Sequence, residues 1–348
     1  MKKGFFGILA LTLIFGMAVI GCGDGDGNGN GNSNGNGNNG GQDLPTDDGG
    51  NGGQNLPAAS GVNAVSGKTY FEWNEKIVFS ATADGAANGT YTKGRVERDD
   101  ARNEVLDNNG KYKYIDIETG TYTWNETAKT VTLKPEKVAL SKEYGYGALE
   151  NETAFRESLQ TMLDEMKAEM GEAAFNAMAN EQLASMGFSS IAAYMNYTVN
   201  EAFSNKTNGY SLSTDGTALF LEQALPANKG TNQFSGQTYY GMTWDGDDEK
   251  RVKDEDQKYV FTASGYTFTG YGRTETGAYA YDSNIKQVWL KAEKINGKDR
   301  QEIHAEQPVW NGHNFADDNA YRAAQTSSQF GLRQNQYNST NKTIGWEN

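Results

Sequence analysis

Hydrophobic and polar positions alternate with two different periods along the chain. In residues 120–133, large apolar side chains alternate with small polar ones on both sides of a polar loop, and residues 277–290 follow the same alternation. A period of two predicts β-hairpins with one buried face. Within residues 149–204 the apolar side chains recur at intervals of three and four, which predicts amphipathic helices. The chain is therefore expected to be mainly β, with one helical segment.

The helical segment is expected to contain three helices. The first should begin near Asn151 and end at Gly171, because asparagine caps helix N-termini and glycine ends helices. A second should end near Gly187, and a third should begin at Ser189 or Ser190. Six of the nine methionines lie in this segment. Their flexible side chains either line an adaptable binding surface or fill the core of a small bundle.

The β pattern occurs twice along the chain. Three stretches recur in the same order, which indicates an internal duplication. The matched pairs are residues 66–70 with 235–239, residues 76–81 with 258–263, and residues 120–138 with 277–295.

These matches predict two tandem antiparallel β-barrel units. The first is expected to cover residues 66–225, with a three-helix insertion at residues 149–204. The second is expected to cover residues 235–346, with a short helix at residues 316–329. Each unit should bury one face of its strands in its own core.

The N-terminus has the layout of an export signal. Lys2 and Lys3 precede an apolar run that ends at Cys22. A transmembrane helix needs about 20 apolar residues, and this run is shorter and gives way at once to polar residues. We therefore expect residues 1–21 to be a signal peptide. Residues 22–61, rich in Gly, Asn and Asp, should form a disordered linker.

The segment Val-Ile-Gly-Cys at residues 19–22 resembles the lipobox of bacterial lipoproteins. The resemblance implies that Cys22 is diacylated on its sulfur, becomes the first residue after cleavage, and anchors the protein to a bacterial membrane, with the outer membrane expected. Cys22 is the only cysteine, so a disulfide framework is excluded. The alternative is an ordinary secretory signal in which the cysteine is incidental.

The β units resemble a second feature of such proteins. Their hairpins carry the pattern Gly-x-Tyr-x-aromatic, as GTYTW at residues 120–124 and GAYAY at residues 277–281. With a late helix before the final strand, they are similar to the lipocalin-like barrels of some bacterial lipoproteins, particularly those of spirochaetes. Tyr70 and Tyr239 stand where the lipocalin opening Gly-x-Trp has tryptophan. The resemblance implies a non-catalytic binding protein.

The chain is acidic, and more so without its leader. Its net charge is −14; removing Lys2 and Lys3 from the 31 basic side chains leaves 29 against 45 acidic ones, a net charge of −16. Nucleic-acid binding requires clustered lysine and arginine that displace counterions. The sequence has no such cluster, so nucleic acid is not expected as a partner. Cations or a basic protein surface are compatible with the charge.

Residues suited to catalysis or metal binding are sparse. His304 and His313 are the only histidines, and their spacing fits no zinc motif, so they are expected to be polar surface residues. The loop between Trp244 and Gln257 is rich in carboxylates, which suit calcium, but interleaved lysine and arginine favour a solvated hairpin tip. No enzymatic activity, metal site or cofactor is predicted.

Tyrosine and tryptophan supply the candidate ligand-binding residues. Aromatic walls with polar edges suit sugars and amphipathic small molecules, whereas the same side chains often fill the interior of a small barrel. The candidates are Tyr70, Trp73, Tyr122 and Trp124 in the first unit, and Tyr239, Tyr240, Trp244, Tyr279 and Tyr281 in the second.

Two functional hypotheses follow from these features. In the first, the protein is a membrane-anchored, non-catalytic binding module for a small ligand or a partner protein. In the alternative, it is an adhesion or interaction protein whose barrels are filled. That protein would recognise a host or envelope component through its loops and its helical insertion.

Overall fold

The computed structural model describes residues 63–83, 86–99, 101–142, 145–185, 189–245, 250–310 and 312–345. The predicted signal peptide, Cys22 and the predicted linker lie outside the described residues. Within the described residues, no helix combines the length and the apolar character needed to span a bilayer. The chain divides into two compact units, and each is described by itself.

Unit 1 contains a closed barrel of seven strands, here called barrel 1. Among the described residues, the unit covers residues 63–221 and Trp310–Ala323. Its strands are β1 (Thr69–Phe71), β2 (Glu75–Phe79), β3 (Asn88–Val96), β4 (Tyr114–Asn125), β5 (Thr130–Lys142), β6 (Gly145–Glu150), β7 (Lys206–Leu212) and β8 (Leu219–Gln223). The order around the barrel is β4-β3-β2-β1-β8-β7-β5, and β5 closes it by pairing with β4. Strand β6 pairs with β5 as an eighth strand of the sheet.

Three helices lie between β6 and β7: α1 (Glu152–Met170), α2 (Glu172–Ser185) and α3 (Ile191–Phe203). The side chains of Asn151 and Ser190 cap α1 and α3 by accepting hydrogen bonds from backbone N–H groups at 3.0 and 3.1 Å. Gly171 ends α1 in a left-handed conformation, with φ of 82°. The buried faces of the helices form one core with Val138 and Leu140 of β5.

Unit 2 contains a second closed barrel of seven strands, here called barrel 2. Among the described residues, the unit covers residues 222–309 and 324–345. Its strands are β9 (Thr238–Asp245), β10 (Lys250–Phe261), β11 (Gly265–Gly270), β12 (Arg273–Asp282), β13 (Gln287–Ile295), β14 (Leu332–Asn338) and β15 (Thr343–Ile344). Between β13 and β14 lie α4 (Arg300–Glu306) and α5 (Asp318–Phe330), and α5 corresponds to the helix predicted at residues 316–329. Helix α4 was not predicted, although Asp299 and Glu302 form a capping box at its start.

The mainly β architecture is confirmed, but each barrel contains a parallel pairing that the antiparallel prediction did not include. Strand β1 pairs in parallel with β8 at Tyr70 and Leu219, and β15 pairs in parallel with β9 at Thr343 and Tyr240. The odd strand number causes this pairing, because the first and last strands of a seven-stranded meander run in the same direction.

The same bulge occurs in both barrels and explains the glycine that begins each hairpin motif. Pairing shifts register next to Gly120 in barrel 1 and next to Gly277 in barrel 2. A Cβ atom would lie 2.1 Å from the Lys134 carbonyl oxygen at Gly120, and 2.0 Å from the Lys291 carbonyl oxygen at Gly277. Only glycine allows the neighbouring strands to approach so closely.

Candidate functional site

The structure separates the nine aromatic candidates into core and surface residues. Trp73 and Trp244 are exposed, at 41% and 57% of their surface, and Tyr240 is half-buried. The remaining six candidates belong to the two barrel cores: Tyr70, Tyr122 and Trp124 in barrel 1, and Tyr239, Tyr279 and Tyr281 in barrel 2. The nine residues therefore do not line one common surface.

Aromatic rings pack directly on one another in the core of barrel 2. Phe234, from the segment that precedes β9, is fully buried at the centre of this core. Its ring centroid lies 4.6 Å from that of Tyr337, 4.8 Å from Phe261 and 5.0 Å from Tyr239. These separations are typical of packed aromatic pairs. Three of the predicted ligand-binding tyrosines of barrel 2 thus make core contacts, namely Tyr239, Tyr279 and Tyr281.

Barrel 1 has the same arrangement with a smaller central side chain. Val65 stands directly before the repeated Ser-Gly, where barrel 2 has Phe234, and it is fully buried. The Tyr122 ring packs edge-on against Phe79 at 5.0 Å. Trp124 takes the place of a tyrosine in barrel 2 and is also fully buried.

In each barrel, an asparagine forms a hydrogen bond with the backbone of this central residue. Our sequence analysis missed this asparagine. The Asn63 and Asn232 side chains donate hydrogen bonds to the hydroxyl groups of Tyr122 and Tyr279, each at 3.1 Å. Each asparagine also accepts a hydrogen bond from the backbone N–H two residues later. The signal was present, because the first repeat extends three residues further back, as NAVSG and NQFSG.

Both barrels bury a glutamate against a tyrosine. Glu118 and Glu275 stand at equivalent repeat positions and are 3% and 0% exposed. The Tyr91 hydroxyl donates a hydrogen bond to Glu118 at 2.5 Å, and the Tyr266 hydroxyl donates one to Glu275. Sequence analysis missed these residues because glutamate is seldom buried, although Glu118 and Glu275 share the alternation phase of the core residues Tyr122 and Tyr279.

The cations that pair with these two glutamates differ. Lys206 Nζ lies 3.6 Å from Glu118 Oε2. Arg333, at the equivalent position in barrel 2, contacts Glu275 more closely, and Arg273 Nη2 adds a second contact at 2.8 Å. Two arginines therefore contact the carboxylate of Glu275, whereas the cation beside Glu118 lies at a longer distance.

Barrel 1 has further ionisable side chains at the same level. Lys93 Nζ lies 2.6 Å from Glu75 Oε2, and both side chains are less than a fifth exposed. Arg95 Nε lies 3.9 Å from Glu75, and its Nη1 donates a hydrogen bond to the Tyr146 hydroxyl at 2.6 Å. We call the following set the charged end of barrel 1: Glu72, Glu75, Lys93, Arg95, Glu118 and Lys206.

Strand alternation directs this set into barrel 1. Glu75 stands two residues before the core residue Ile77, and Lys93 stands two residues after the core residue Tyr91. Residues two apart in a strand share one face of the sheet. Along the barrel axis, the side chains that face the interior therefore change from aromatic and aliphatic to charged.

Glu72 differs from the other two carboxylates of this set. Its backbone N–H donates to the Glu75 carbonyl at 2.9 Å, but among the described residues its carboxylate makes no hydrogen bond or ion pair. Burial, reinforced by the nearby negative charge of Glu75, raises the pKa of Glu72 to about 7. Burial acts in the same direction on Glu75, but Lys93 and Arg95 outweigh it and lower the pKa of Glu75.

Barrel 2 lacks most of these groups at the equivalent positions. By the sequence repeat, Gly241 takes the place of Glu72, and Gln257 takes the place of Glu75. Lys93 pairs with Glu118 across the sheet, and Phe268 is the residue that pairs with Glu275. A Cβ atom on Gly241 would lie 2.6 Å from the Gln257 side-chain oxygen. The amide of Gln257 donates to the Tyr271 hydroxyl at 2.5 Å.

The histidines are buried, so the expectation of surface positions is wrong. His313 Nε2 is 2.9 Å from Asp318 Oδ1, and the imidazole stacks on Tyr321 at 4.9 Å. His304 Nδ1 lies 3.3 Å from the Thr326 hydroxyl. No group of three or more metal-ligating side chains is found within the described parts of the chain.

The acidic loop between Trp244 and Gln257 is part of the β9–β10 hairpin, and residues 246–249 lie outside the described residues. Lys253 Nζ is 2.9 Å from Glu255 and 4.0 Å from the centroid of the Tyr240 ring. This basic residue therefore neutralises part of the acidic cluster.

Methionines of the helical segment contribute to its core. Met166 and Met195 are buried in the cluster formed by α1, α2, α3 and β5, and three others pack against it: Met162, Met170 and Met178. Met186 lies outside the described residues. These contacts favour the core-filling role over the adaptable binding surface.

Comparison with known proteins gives no relative for this chain: no protein-family model, no curated protein and no solved structure matches it. Its chemistry is therefore inferred from its own residues.

Proposed function

We propose that the chain is an exported lipoprotein, anchored by acyl chains on Cys22, whose two lipocalin-like barrels form a non-catalytic binding module. Barrel 1 holds a small polar ligand, and barrel 2 acts mainly as a filled scaffold. The helical segment 149–204 is an insertion in the first barrel unit. The protein stands at the outer membrane of a bacterial cell.

One observation carries the ligand-binding role: six ionisable side chains face the interior of barrel 1, and one of them, Glu72, has no protein partner among the described residues. Buried ionisable groups are costly unless they are paired. A core needed only for stability would gain from apolar side chains at these positions, as barrel 2 has at Phe268. The charged end is therefore more consistent with ligand recognition than with packing.

Native mass spectrometry of the full chain, extracted from its own membrane, tests this role. We expect the wild type to carry a small-molecule mass. A variant that copies barrel 2 at two positions, Glu72→Gly with Lys93→Phe, should lose that mass. The matched control Tyr240→Phe, in the wall of barrel 2, should keep it. A chain that carries no adduct would contradict occupancy of barrel 1 in its own membrane, and a variant that retains the adduct would contradict binding at the charged end.

The lipid anchor has its own test. Cells that express the chain and are fed a fatty-acid analogue should label the wild type at Cys22. The Cys22→Ser variant should be exported without label. Equal labelling of both proteins would refute acylation at this residue.

The adhesion hypothesis is the second candidate, and it is favoured by the outer surface of barrel 2. Trp244 and Tyr271 expose 57% and 76% of their surface on a barrel whose core is already filled. Aromatic side chains are enriched among the residues that dominate binding energy at protein interfaces. In this role barrel 2 recognises an envelope or host component through its exterior.

Binding of the full chain to an immobilised envelope fraction distinguishes this candidate. Trp244→Ala should reduce binding at least tenfold, whereas Val260→Ala, at another exposed position of barrel 2, should not. Equal binding by both variants would argue against adhesion through this surface.

A further inference from the structure

The six groups that define the charged end of barrel 1 carry equal positive and negative charge when all are ionised, and Glu201 of α3 also acts on Lys206 from outside this set. Its three carboxylates belong to Glu72, Glu75 and Glu118, and three cations face them: Lys93, Arg95 and Lys206. A ligand with a net charge would leave that charge uncompensated beside Glu75, Lys93 and Glu118, which are each less than a fifth exposed, and this is unfavourable. A ligand with one positive and one negative group keeps the balance.

The pairing within the set shows where each ligand group fits. Glu75 contacts Lys93 at 2.6 Å, so this pair is already complete. Among the described residues, no cation contacts Glu72, so this carboxylate can accept a positive group. Lys206 lies 3.6 Å from Glu118, beyond the range of a direct charged hydrogen bond, and is 29% exposed. It can therefore turn towards a second anion.

We propose that the charged end of barrel 1 binds a small zwitterion, with its primary ammonium group at Glu72 and its acid group at Lys206. This assignment rests on the proposed function, because it names the ligand class of the same barrel. A compact ammonium group suits the single carboxylate of Glu72, since it forms up to three hydrogen bonds from one point charge.

Barrel 2 explains why this site is found in one copy. Gly241 offers no carboxylate where barrel 1 has Glu72, and Arg333 is held against Glu275, where Lys206 is loosely paired. Neither end of a zwitterion would therefore find its counterpart in barrel 2.

The test is calorimetric titration of the full chain with zwitterions of increasing length: glycine, β-alanine, 4-aminobutyrate and 6-aminohexanoate. One length should bind most tightly, because the two receptor groups are a fixed distance apart. Butylammonium and butyrate, which each carry one charge, should bind at least tenfold more weakly. If no zwitterion binds better than the single-charge compounds, the proposal is overturned.

Two variants identify the receptor groups. Glu72→Gln and Lys206→Gln should each weaken binding of the best zwitterion at least tenfold, whereas Glu136→Gln, an exposed carboxylate on β5, should not. Circular dichroism in the near ultraviolet verifies that each variant is folded. A folded Glu72→Gln chain with unchanged affinity would also overturn the assignment.

The dependence on pH supplies a second readout. Protonated Glu72 cannot pair with ammonium, so binding should weaken below about pH 7 in the wild type. Three charged groups act on Glu72, namely Glu75, Lys93 and Arg95, and they keep their charges in this range. Affinity that does not change between pH 5.5 and pH 8.5, values chosen about 1.5 units either side of that pKa, contradicts a role for Glu72.

These outcomes separate the inference from the proposed function. A native chain that carries another small molecule in barrel 1, but binds no zwitterion, retains the binding role and loses only the ligand class. A chain that carries no adduct but binds a zwitterion in the titration would support the binding site. It would also show that the site is empty when the protein is extracted from its own membrane.

Discussion

At the mouth where the polypeptide enters each barrel, barrels 1 and 2 have the same side-chain contacts. An asparagine bonds a core tyrosine, and the residue two positions later is buried at the centre: Val65 in one barrel and Phe234 in the other. At the opposite end the barrels differ. Barrel 1 places Glu72, Glu75 and Lys93 where barrel 2 has glycine, glutamine and phenylalanine.

The comparison shows that the features shared by the two barrels and the features that differ lie at different levels of the barrel. The shared end, with its bulge glycine and its asparagine, forms the closed core. The Tyr–Glu pair, Tyr91 with Glu118 and Tyr266 with Glu275, marks the level at which the copies begin to differ. Beyond it, barrel 2 is stabilised by arginine and aromatic packing, whereas barrel 1 has a set of charges in which Glu72 has no ion pair among the described residues.

The largest expected effect concerns the central residue. Phe234→Ala removes a ring that packs on several others and should lower the free energy of unfolding by about 3–5 kcal/mol. Val65→Ala removes only two methyl groups and should lower it by about 1–2 kcal/mol. Urea unfolding curves measure both. Equal losses would contradict the view that barrel 2 depends more on its central side chain.

An intermediate effect is expected for the cations beside the buried glutamates. Arg333→Met leaves Glu275 with Tyr266 and, among the described cations, Arg273 alone, and it should destabilise the chain by about 3 kcal/mol. Lys206→Met removes a looser contact from Glu118 and should cost about 1 kcal/mol. The same denaturation experiment provides the comparison. A larger cost at Lys206 would mean that barrel 1, too, needs its cation for stability.

The smallest effect is the pH dependence caused by Glu72. Its pKa rises from 4.5 to about 7 on folding, so the folded chain binds this proton more tightly than the unfolded chain. The resulting stability is fully present below pH 4.5 and is lost as the pH rises through about 7. After allowance for partial exposure, the loss should be about 1–2 kcal/mol. Unfolding measured at several pH values should show this slope in the wild type.

Two variants isolate that slope. Glu72→Gln should remove it and make the chain more stable than the wild type above pH 7, because no buried carboxylate must ionise. Glu136→Gln, at an exposed position, should leave the slope unchanged. An unaltered slope in Glu72→Gln would assign the pH dependence to another group.

Periodicity and repetition predicted the parts of the fold that depend on local sequence. The helix starts at Asn151 and Ser190 are caps that act within one turn, and the matched hairpins follow from alternation and from Gly120 and Gly277. The parallel closure was not predicted, because it depends on the number of strands in the finished barrel and on no local signal.

The charged end was missed for a related reason. Glutamate and lysine within a strand are ordinarily assigned to solvent because of their charge, although the phase of the alternation places Lys93 on the same face as the core residue Tyr91. Their pairing becomes visible only when β2, β3 and β4 lie side by side. The buried histidines show the same limit: His313 is enclosed by Tyr321 and Asp318, contacts that spacing does not predict.

The parallel closure has a consequence for how a duplicated barrel can evolve. Because β1 and β8 run in the same direction, as do β9 and β15, the polypeptide arrives at one mouth of each barrel and departs from the other. The arrival mouth must accommodate the incoming segment in every copy. The departure mouth does not have this constraint, which agrees with the side chains that differ between the two copies, Glu72, Glu75 and Lys93 against Gly241, Gln257 and Phe268.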